Sequence, residues 1–347
     1  MIAIIAITPG GAALARRLSR ELPHSAVFAP ARLAEAGDQV FHQPLAELLP
    51  ELFAQARGLV CIMAAGIVVR LLAPHLKNKA EDPAVVVMDE AGHFAVSLLS
   101  GHLGGANDLA RQTAAAVGAQ AVITTATDVN GLMAWDDIAR REQLTIEPLS
   151  NIRRLNRLLL ERANIALVDR RRRVSHYFLP HSGVTPVANF AEAMQSQFAG
   201  QVFVTHRVLG RVGAPDNLLL LRPKDLVVGI GCNRDTSAAE IEAAVLAEFA
   251  AAFLAPASIA ALATIEDKGD EAGLLAFAEK LGVPLRLFSA RQLNAVEAPS
   301  PPSPHALEAV GAKGVCEPAA LVASGARTLL IKKKKRGNLT LAVAELA

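Results

Sequence analysis

Three clusters of polar residues each follow directly on an apolar run, and this alternation constrains the fold more than any other feature. The apolar runs are residues 85–88, 94–99 and 121–123, and the polar clusters are residues 89–93, 100–108 and 124–131. In α/β proteins, loops at the carboxyl ends of strands project side chains and backbone N–H groups into a shared crevice. We therefore expect the three clusters to line one site, and their residue types suggest hydrolysis or proton transfer.

Strand and helix patterns alternate along both ends of the chain, which predicts an α/β protein with mainly parallel sheets. We expect two α/β domains, at residues 1–147 and 225–347, joined by a small basic α/β domain at residues 148–224. Residues 89–92, between two apolar runs, predict a hairpin loop. A length of 347 residues fits two or three such domains.

Composition narrows the class of partner. Aromatic residues make up 4% of the chain, so we do not expect the stacking platforms that bind single-stranded nucleic acid. Residues 150–225 carry 12 Arg or Lys against 5 Asp or Glu, a net charge of +7 in a chain of net charge +2. This basic segment favours an anionic partner.

Cysteine usage and hydropathy favour a cytoplasmic protein that does not enter a membrane. The cysteines Cys61, Cys232 and Cys316 are odd in number and far apart, as in proteins of reducing compartments. The first residues lack a basic segment and predict a buried strand, not a signal peptide. No apolar run reaches the ~20 residues of a membrane span. CxxC and HExxH motifs are absent, so we expect no metal site.

Residues 100–108 (SGHLGGAND) form the sharpest local motif. The candidate oxyanion and substrate loop comprises Ser100, Gly101, Gly104, Gly105 and Asn107. Glycine removes Cβ atoms where backbone N–H groups could bind an oxyanion at a helix N-terminus. His102 lies among them, and its near-neutral pKa suits general acid or base work. The alternative is a tight strand-to-helix turn in which His102 caps the helix or is buried.

The other two clusters could assist this loop. Asp89 and Glu90 could orient a general base, although turns favour Asp for their own reasons. The candidate anion-binding residues of the third cluster are Thr124, Thr125 and Asp128. Asp128 could equally cap the turn that follows.

Two common site types are not predicted, and the basic runs stay ambiguous. Residues 229–231 resemble the start of a dinucleotide fingerprint, but Arg234 replaces its third glycine. There is no GxSxG elbow, so an ordinary serine hydrolase is not expected. Residues 170–173 and 332–336 are basic runs of the kind usually solvated. If 332–335 lie on a strand, about half of their side chains could face a cleft.

Several motifs in combination resemble the CbiG family of cobalamin biosynthesis. In the first segment they are residues 64–70 (AAGIVVR), 82–87 (DPAVVV), 89–90 (DE), 97–107 (SLLSGHLGGAN) and 124–128 (TTATD). In the last segment they are residues 229–234 (GIGCNR), Lys268 with 271–274 (EAGL), 314–321 (GVCEPAAL) and 335–338 (KRGN). Four consecutive lysines stand where the family is expected to interleave proline and glutamine with lysine. Lys333 and Lys335 are the matching positions.

The resemblance implies a cobalt-precorrin-5A hydrolase, which opens a δ-lactone and releases the extruded carbon with its methyl group as acetaldehyde. It implies that His102 is the base or acid, that Asp89 or Glu90 orients it, and that the glycine loop binds the oxyanion. A corrinoid carries many carboxylates, which accounts for separated basic patches. The residues expected to bind these carboxylates are Arg70, Arg234, Lys268 and Lys313.

The implied partner is a cobalt-corrinoid intermediate, with no nucleic acid and no membrane. No cofactor is implied, because the cobalt belongs to the substrate. We also expect transient contacts with other enzymes of the corrin pathway and consider a homodimer. Two alternatives are a corrinoid carrier without chemistry and a nucleic-acid-binding protein that uses the basic runs. The acidic remainder of the chain and its few aromatics count against the second.

Overall fold

The computed structural model describes residues 1–78, 81–178, 182–209 and 215–347. Its strands form three mainly parallel sheets with helices between them, which confirms the predicted α/β class. The chain divides into two compact units. The first comprises Met1–Arg140, Asn156–Arg162 and Tyr177–Ser182, and the second comprises Arg141–Leu155, Ala163–His176 and Gly183–Ala347. No helix in the described ranges is long and apolar enough to cross a membrane.

The first sheet has seven strands with apolar side chains packed on both faces. They are β1 Ile2–Ala6, β2 Ser25–Pro30, β3 Gln39–Phe41, β4 Gly58–Ile62, β5 Ala84–Met88, β6 Phe94–Leu99 and β7 Gln120–Val122. Their order is β3-β2-β1-β4-β5-β6-β7. Strands β1 to β5 are parallel, whereas β6 is antiparallel to β5, and β7 is parallel to β6.

The reversal at β6 separates the polar clusters that we expected to share one crevice. Residues 89–93 form the predicted hairpin loop at the carboxyl end of β5. The loops after β6 and β7 leave the sheet at the opposite edge. The expectation of a single crevice is therefore wrong for the first cluster. The other two clusters do leave the sheet on the same side, because β6 and β7 are parallel.

Helices connect several strands of this sheet, and two short helices follow its last strand. They are α1 Pro9–Glu21, α2 Leu45–Gln55, α3 Ala65–Leu72, α4 Ala106–Val117, α5 Ala126–Val129 and α6 Trp135–Arg141. The Thr8 hydroxyl accepts the N–H of Gly11 and so caps α1, which has proline at its first position. Helix α4 begins after Gly105 and ends before Gly118, both of which have left-handed backbone conformations.

The second sheet is small and includes a strand assigned above to the N-terminal segment. Its strands are β8 Thr145–Glu147, β9 Ile165–Val168, β10 Val184–Pro186, β11 Gly200–Val204 and β12 Leu218–Arg222. The helices in this part of the chain are α7 Ile152–Leu160, which is divided between the two units, and α8 Phe190–Ala193. The strand order is β10-β9-β11-β12-β8, with β8 antiparallel to β12. Buried Arg222 binds Glu147 at 2.8 Å, which ties β8 to this sheet.

The third sheet carries an antiparallel hairpin on a parallel core. Its strands are β13 Leu226–Cys232, β14 Ile259–Ile265, β15 Leu285–Phe288, β16 Ile331–Arg336 and β17 Leu339–Glu345, in the order β15-β14-β13-β17-β16. Its helices are α9 Ala238–Ala251, α10 Ala272–Leu281, α11 Ala290–Asn294, α12 Pro304–Val310 and α13 Cys316–Ser324. A Cβ on Gly229 would lie 1.9 Å from the Cys316 carbonyl oxygen, so glycine permits the close approach of α13 to β13.

Candidate functional site

The loop that follows β6 folds back on itself and starts α4. Ser100 has a φ of +60°, and its carbonyl accepts the N–H of Ala106 at 3.0 Å. The carbonyl of Gly101 accepts the N–H of Asn107, and that of His102 accepts the N–H of Gly105 at 2.9 Å. The loop is therefore a tight strand-to-helix turn that fixes the backbone of His102.

The glycines of this loop are needed first for packing. A Cβ on Gly104 would lie 2.4 Å from the Cβ of Ser100, and one on Gly101 would lie 2.9 Å from Oδ1 of Asn107. The N–H of Gly105 already donates to His102. Among the predicted oxyanion donors, the N–H groups of Gly101 and Gly104 make no hydrogen bond to the residues described here and stay available for that role.

Both ring nitrogens of His102 are hydrogen-bonded. Nδ1 lies 2.9 Å from Oδ2 of Asp137, which is on α6, and Nε2 lies 3.1 Å from Oγ1 of Thr127, which is on α5. His102 keeps 17% of its side chain exposed, against 6% for Asp137. A base with its second nitrogen held by a buried carboxylate is the arrangement that orients general bases in enzymes.

Burial and charge act in opposite directions on this pair. Burial lowers the pKa of His102, but the hydrogen bond to Asp137 and the charges of Asp136, Asp137 and Asp128 outweigh it, so the pKa lies above its usual value. Burial raises the pKa of Asp137, and its bonds to His102 and Arg140 outweigh that effect, so the pKa lies below its usual value. Asp137 is therefore ionised at neutral pH.

Arginine contacts hold Asp137 and the loop together. Nε of Arg140 donates to the carbonyl of His102 at 3.0 Å, and its guanidinium binds Asp137 at 3.3 Å. The same guanidinium binds Asp108 at the start of α4. One side chain on α6 thus connects the loop, the first turn of α4 and the carboxylate that faces the imidazole.

The third predicted cluster forms a second network beside His102. Oδ2 of Asp128 accepts from Asn107 at 2.9 Å and from the hydroxyl of Thr125 at 2.6 Å, and lies 3.9 Å from Nδ1 of His102. The other carboxylate oxygen of Asp128 binds Arg111. Thr124 is exposed and makes no hydrogen bond to the residues described. The structure thus brings Asn107, Thr125 and Asp128 to His102 and leaves Thr124 at the surface.

Asp89 and Glu90 lie at the other edge of the sheet and do not orient His102. The carboxylate of Asp89 accepts the backbone N–H groups of Ala91, His93 and Phe94, which closes the hairpin loop. Glu90 accepts the hydroxyl of Thr8 at 2.7 Å. The residue that faces His102 is Asp137, so the expectation for Asp89 and Glu90 is corrected and the polar-turn reading of Asp89 holds.

Arg70 likewise makes no hydrogen bond to His102 among the residues described. It lies on α3, after β4, at the edge of the sheet that holds Asp89. Its guanidinium is exposed and lies 3.5 Å from the carbonyl of Gly66. Its expected role in binding carboxylates stays a prediction.

The three other predicted cations line a single cavity in the second unit. The cavity has a volume of about 1290 Å³ and lies at the carboxyl ends of β13 and β14, beside the start of α13. The basic residues that line it are Arg234, Lys268, Lys313, Lys333 and Lys335. Lys332 and Lys334 are not among the residues that line it, as expected if alternate side chains of a strand face opposite ways.

The cations of this cavity differ in how they are neutralised. Lys268 binds Glu271 at 2.8 Å, and Arg234 lies 3.8 Å from the same carboxylate. Lys313, Lys333 and Lys335 form no ion pair with the part of the chain that the structure describes. Cys232 also lines the cavity, and burial raises the pKa of its thiol. A cavity with three unpaired ammonium groups suits a ligand that carries several carboxylates.

Within the described ranges, two groups of side chains have the ligand atoms to hold a metal ion. One is His102 with Asp128 and Asp137, and the other is His206 with Asp225 and Glu345, each with its atoms within 4.8 Å of one another. Arg111 and Arg140 bind the carboxylates of the first group, and Arg173 and Arg171 bind those of the second. Both groups are thus charge-balanced by arginine.

Sequence reasoning did not select Asp137, Thr127 or Arg140. Asp137 is 35 positions from His102 in a helix start, where Asp is common for capping alone. Thr127 lies inside the TTATD motif, between residues that were selected. One feature of the sequence could have pointed to Asp137: the pair Asp136-Asp137 directly follows Trp135, the single tryptophan of the chain. A large aromatic residue is usually buried, and carboxylates beside it then need partners.

Comparison with known proteins assigns the chain to a family along its whole length. Family models described as Cobalamin synthesis G N-terminal, Cobalamin biosynthesis central region and Cobalamin synthesis G C-terminus match residues 47–128, 133–223 and 226–344. A cobalt-precorrin-5A hydrolase of Priestia megaterium is 39% identical over 99% of this chain and 94% of its own. One of Salmonella typhimurium is 34% identical over 99% of this chain and 97% of its own.

Among solved structures, a putative cobalamin biosynthesis protein G homolog from Sulfolobus solfataricus is 22% identical. The match covers 100% of this chain and 97% of that chain, with a TM-score of 0.38. The family models and the two hydrolases, which match nearly the full length, confirm the resemblance seen in the motifs. The chain belongs to the cobalamin synthesis G family, CbiG.

Proposed function

We propose that this chain is a hydrolase of cobalamin biosynthesis that opens the δ-lactone of cobalt-precorrin-5A and releases acetaldehyde. The observation that carries the proposal is the His102–Asp137 pair, 2.9 Å apart, in a chain that matches cobalt-precorrin-5A hydrolases along its full length. An oriented imidazole supplies the proton transfers that hydrolysis of a lactone requires.

The proposed reaction has two stages. In the first, an O–H nucleophile adds to the lactone carbonyl while His102 accepts its proton, and one water molecule is consumed overall. The oxyanion that forms accepts hydrogen bonds from the free N–H groups of Gly101 and Gly104. His102 then returns the proton to the departing alcohol, and the ring opens. In the second stage the alcohol loses its proton, its C–O bond becomes a carbonyl, and the adjacent C–C bond breaks. Acetaldehyde leaves, and the conjugated macrocycle takes the electron pair and a proton.

The cavity of the second unit supports the substrate class. Lys313, Lys333 and Lys335 offer ammonium groups with no carboxylate partner in the described chain, and Arg234 and Lys268 lie beside them. We propose that these residues bind peripheral carboxylates of the corrinoid. The proposal includes a cytoplasmic enzyme without a cofactor of its own, because the cobalt arrives in the substrate.

The test is incubation of the purified chain with cobalt-precorrin-5A, without nucleotide or added metal. Acetaldehyde is measured with an alcohol dehydrogenase assay, and the corrinoid is followed by mass spectrometry and its absorption spectrum. We expect stoichiometric acetaldehyde and loss of two carbons from the corrinoid. A corrinoid that stays bound and unchanged would instead identify a carrier and contradict the proposal.

A further inference from the structure

We propose that the hydroxyl of Thr127 is the nucleophile that attacks the lactone, so that the ring opens through an ester between the corrinoid and the enzyme. The inference rests on the proposed function and adds a covalent step to it. In this reading His102 is the base for Thr127, and Asp137 is the residue that orients the imidazole.

The hydrogen bonds of His102 determine which nitrogen carries a proton. Asp137 is ionised and can only accept, so Nδ1 of His102 must be the donor in that 2.9 Å contact. In the neutral ring Nε2 is then an acceptor, and the hydroxyl of Thr127 at 3.1 Å donates its proton to it. Both distances lie in the range of about 2.6–3.2 Å that is typical of a nucleophile, a base and an orienting group.

The lone pair that a base would use on water already faces Thr127. Among the residues described, the Thr127 hydroxyl has no hydrogen-bond partner other than His102. Thr127 is 4% exposed, so bulk water does not share the contact. A water molecule could reach the lone pair only by displacing this hydroxyl. The proton that His102 can remove in the observed geometry is therefore that of Thr127.

Separate contacts hold the three side chains in place. Helix α5, which carries Thr127, is fixed through Asp128 by Asn107 and Arg111. Helix α6, which carries Asp137, is fixed by Arg140 to the carbonyl of His102. Geometry held before substrate binds is what makes such an arrangement effective, because no reorganisation is needed during the reaction.

The covalent route balances with water, the co-reactant of any hydrolysis, as the second substrate. Oγ1 of Thr127 forms a bond to the lactone carbonyl carbon, and its proton passes to Nε2 of His102. The ring C–O bond breaks, and the departing oxygen takes that proton. Water then adds to the new ester carbonyl and gives its proton to His102, and Oγ1 leaves and is protonated again. The sum is lactone plus water giving a hydroxy acid, the species that loses acetaldehyde.

The experiment compares Thr127→Val with Thr127→Ser in single-turnover reactions with cobalt-precorrin-5A. Valine keeps the shape of threonine without a hydroxyl, whereas serine keeps a hydroxyl. We expect acetaldehyde release to fall by more than about 100-fold in Thr127→Val and to stay within about 10-fold of wild type in Thr127→Ser. Circular dichroism and thermal unfolding establish that both variants are folded.

A rapid acid quench supplies a second readout that does not depend on the variants. Peptide mass spectrometry of quenched wild type is expected to show the corrinoid mass on the peptide that contains Thr127, and to show none in Thr127→Val. Two results would overturn the proposal: turnover of Thr127→Val close to wild type, or no adduct in wild type at any time across one turnover. Acetaldehyde is measured in the same wild-type samples. If wild type released no acetaldehyde, the result would contradict the proposed function and not the role of Thr127 alone.

Discussion

His102 acquires its properties from residues that lie far from it in sequence. Its imidazole is buried enough to lose favourable hydration, yet three carboxylates hold its pKa above the usual value. The neutral ring is the form that accepts a proton, so activity should increase as pH rises through this elevated pKa. The nearest carboxylate, Asp137, has the largest share in raising it through a direct hydrogen bond.

Asp137→Asn tests this dependence. The amide keeps the size of the side chain but removes the charge, so the pKa of His102 should fall and the rise of kcat/KM should move to lower pH. We expect the plateau rate to drop by about 10²–10⁴-fold, because an amide no longer selects the tautomer with a proton on Nδ1. The measurement is a pH profile of acetaldehyde release together with an NMR titration of His102. An unmoved titration would show that Asp137 does not act on the imidazole.

The same variant has a defined effect on stability. The pKa of Asp137 is lowered from 3.8, so its contribution is present above pH 3.8 and is lost as pH falls through the folded value. The pKa of His102 is raised from 6.5, so its contribution is present below pH 6.5 and is lost as pH rises through the folded value. The loss of unfolding free energy in Asp137→Asn should therefore be largest between pH 3.8 and 6.5. Urea unfolding at several pH values would measure it.

At the scale of elements, strand β16 separates its lysines by face. Lys333 and Lys335 line the cavity, whereas Lys332 and Lys334 do not. All four are exposed, so their ordinary surface electrostatics are similar. This alternation offers a matched pair of variants with the same change in net charge.

We expect Lys333→Ala with Lys335→Ala to weaken binding of the corrinoid, and Lys332→Ala with Lys334→Ala to leave it nearly unchanged. An exposed ion pair is worth about 0.2–1 kcal/mol, so two of them correspond to about 2- to 30-fold in affinity. The measurement is the KM of acetaldehyde release at low and high salt, where the first pair should also reduce the salt dependence. Equal effects of the two pairs would show that only net charge matters.

Local patterns predicted the elements better than their arrangement. The hairpin at residues 89–92 and the turn at Gly337 were both predicted, because turn residues between apolar runs act over a few positions. The hairpin itself reverses the chain, and this is why Asp89 and His102 lie at opposite edges. That outcome depends on strand order and direction, which no local pattern contains. The contact of His102 with Asp137 was missed for the same reason, since tertiary packing brings the two segments together.

At the scale of the molecule, the first compact unit is not one continuous stretch. It includes Asn156–Arg162 and Tyr177–Ser182. Asn156 binds the first turn of α6, the helix that carries Asp137. Oδ1 of Asn156 accepts the N–H of Trp135, and its amide donates to Asp136, each at 2.9 Å. The ring of Trp135 packs on Phe178 with centroids 4.6 Å apart. Later segments thus complete the site of the first unit.

Asn156→Ala should therefore change the pKa of His102, although no hydrogen bond between the two residues is seen. Loss of this helix cap is expected to cost about 1 kcal/mol of stability and to loosen α6, so that the pKa of His102 falls toward its usual value. Asn189→Ala, which removes the cap of α8 in the second unit, is the control and should leave that pKa unchanged. NMR titration of His102 in both variants is the measurement. A parallel shift in both would point to general destabilisation.

Because the first unit is built from three separate stretches of the chain, its parts are synthesised at different times. When the ribosome has made residues 1–140, every strand of the first sheet is complete, together with His102 and Asp137. Two residues that secure the start of α6 are made later: Asn156 follows β8 of the next sheet, and Phe178 follows β9. A nascent chain therefore has a complete first sheet while the contacts that hold α6 beside His102 are still missing. These contacts form only while the second unit is already being made.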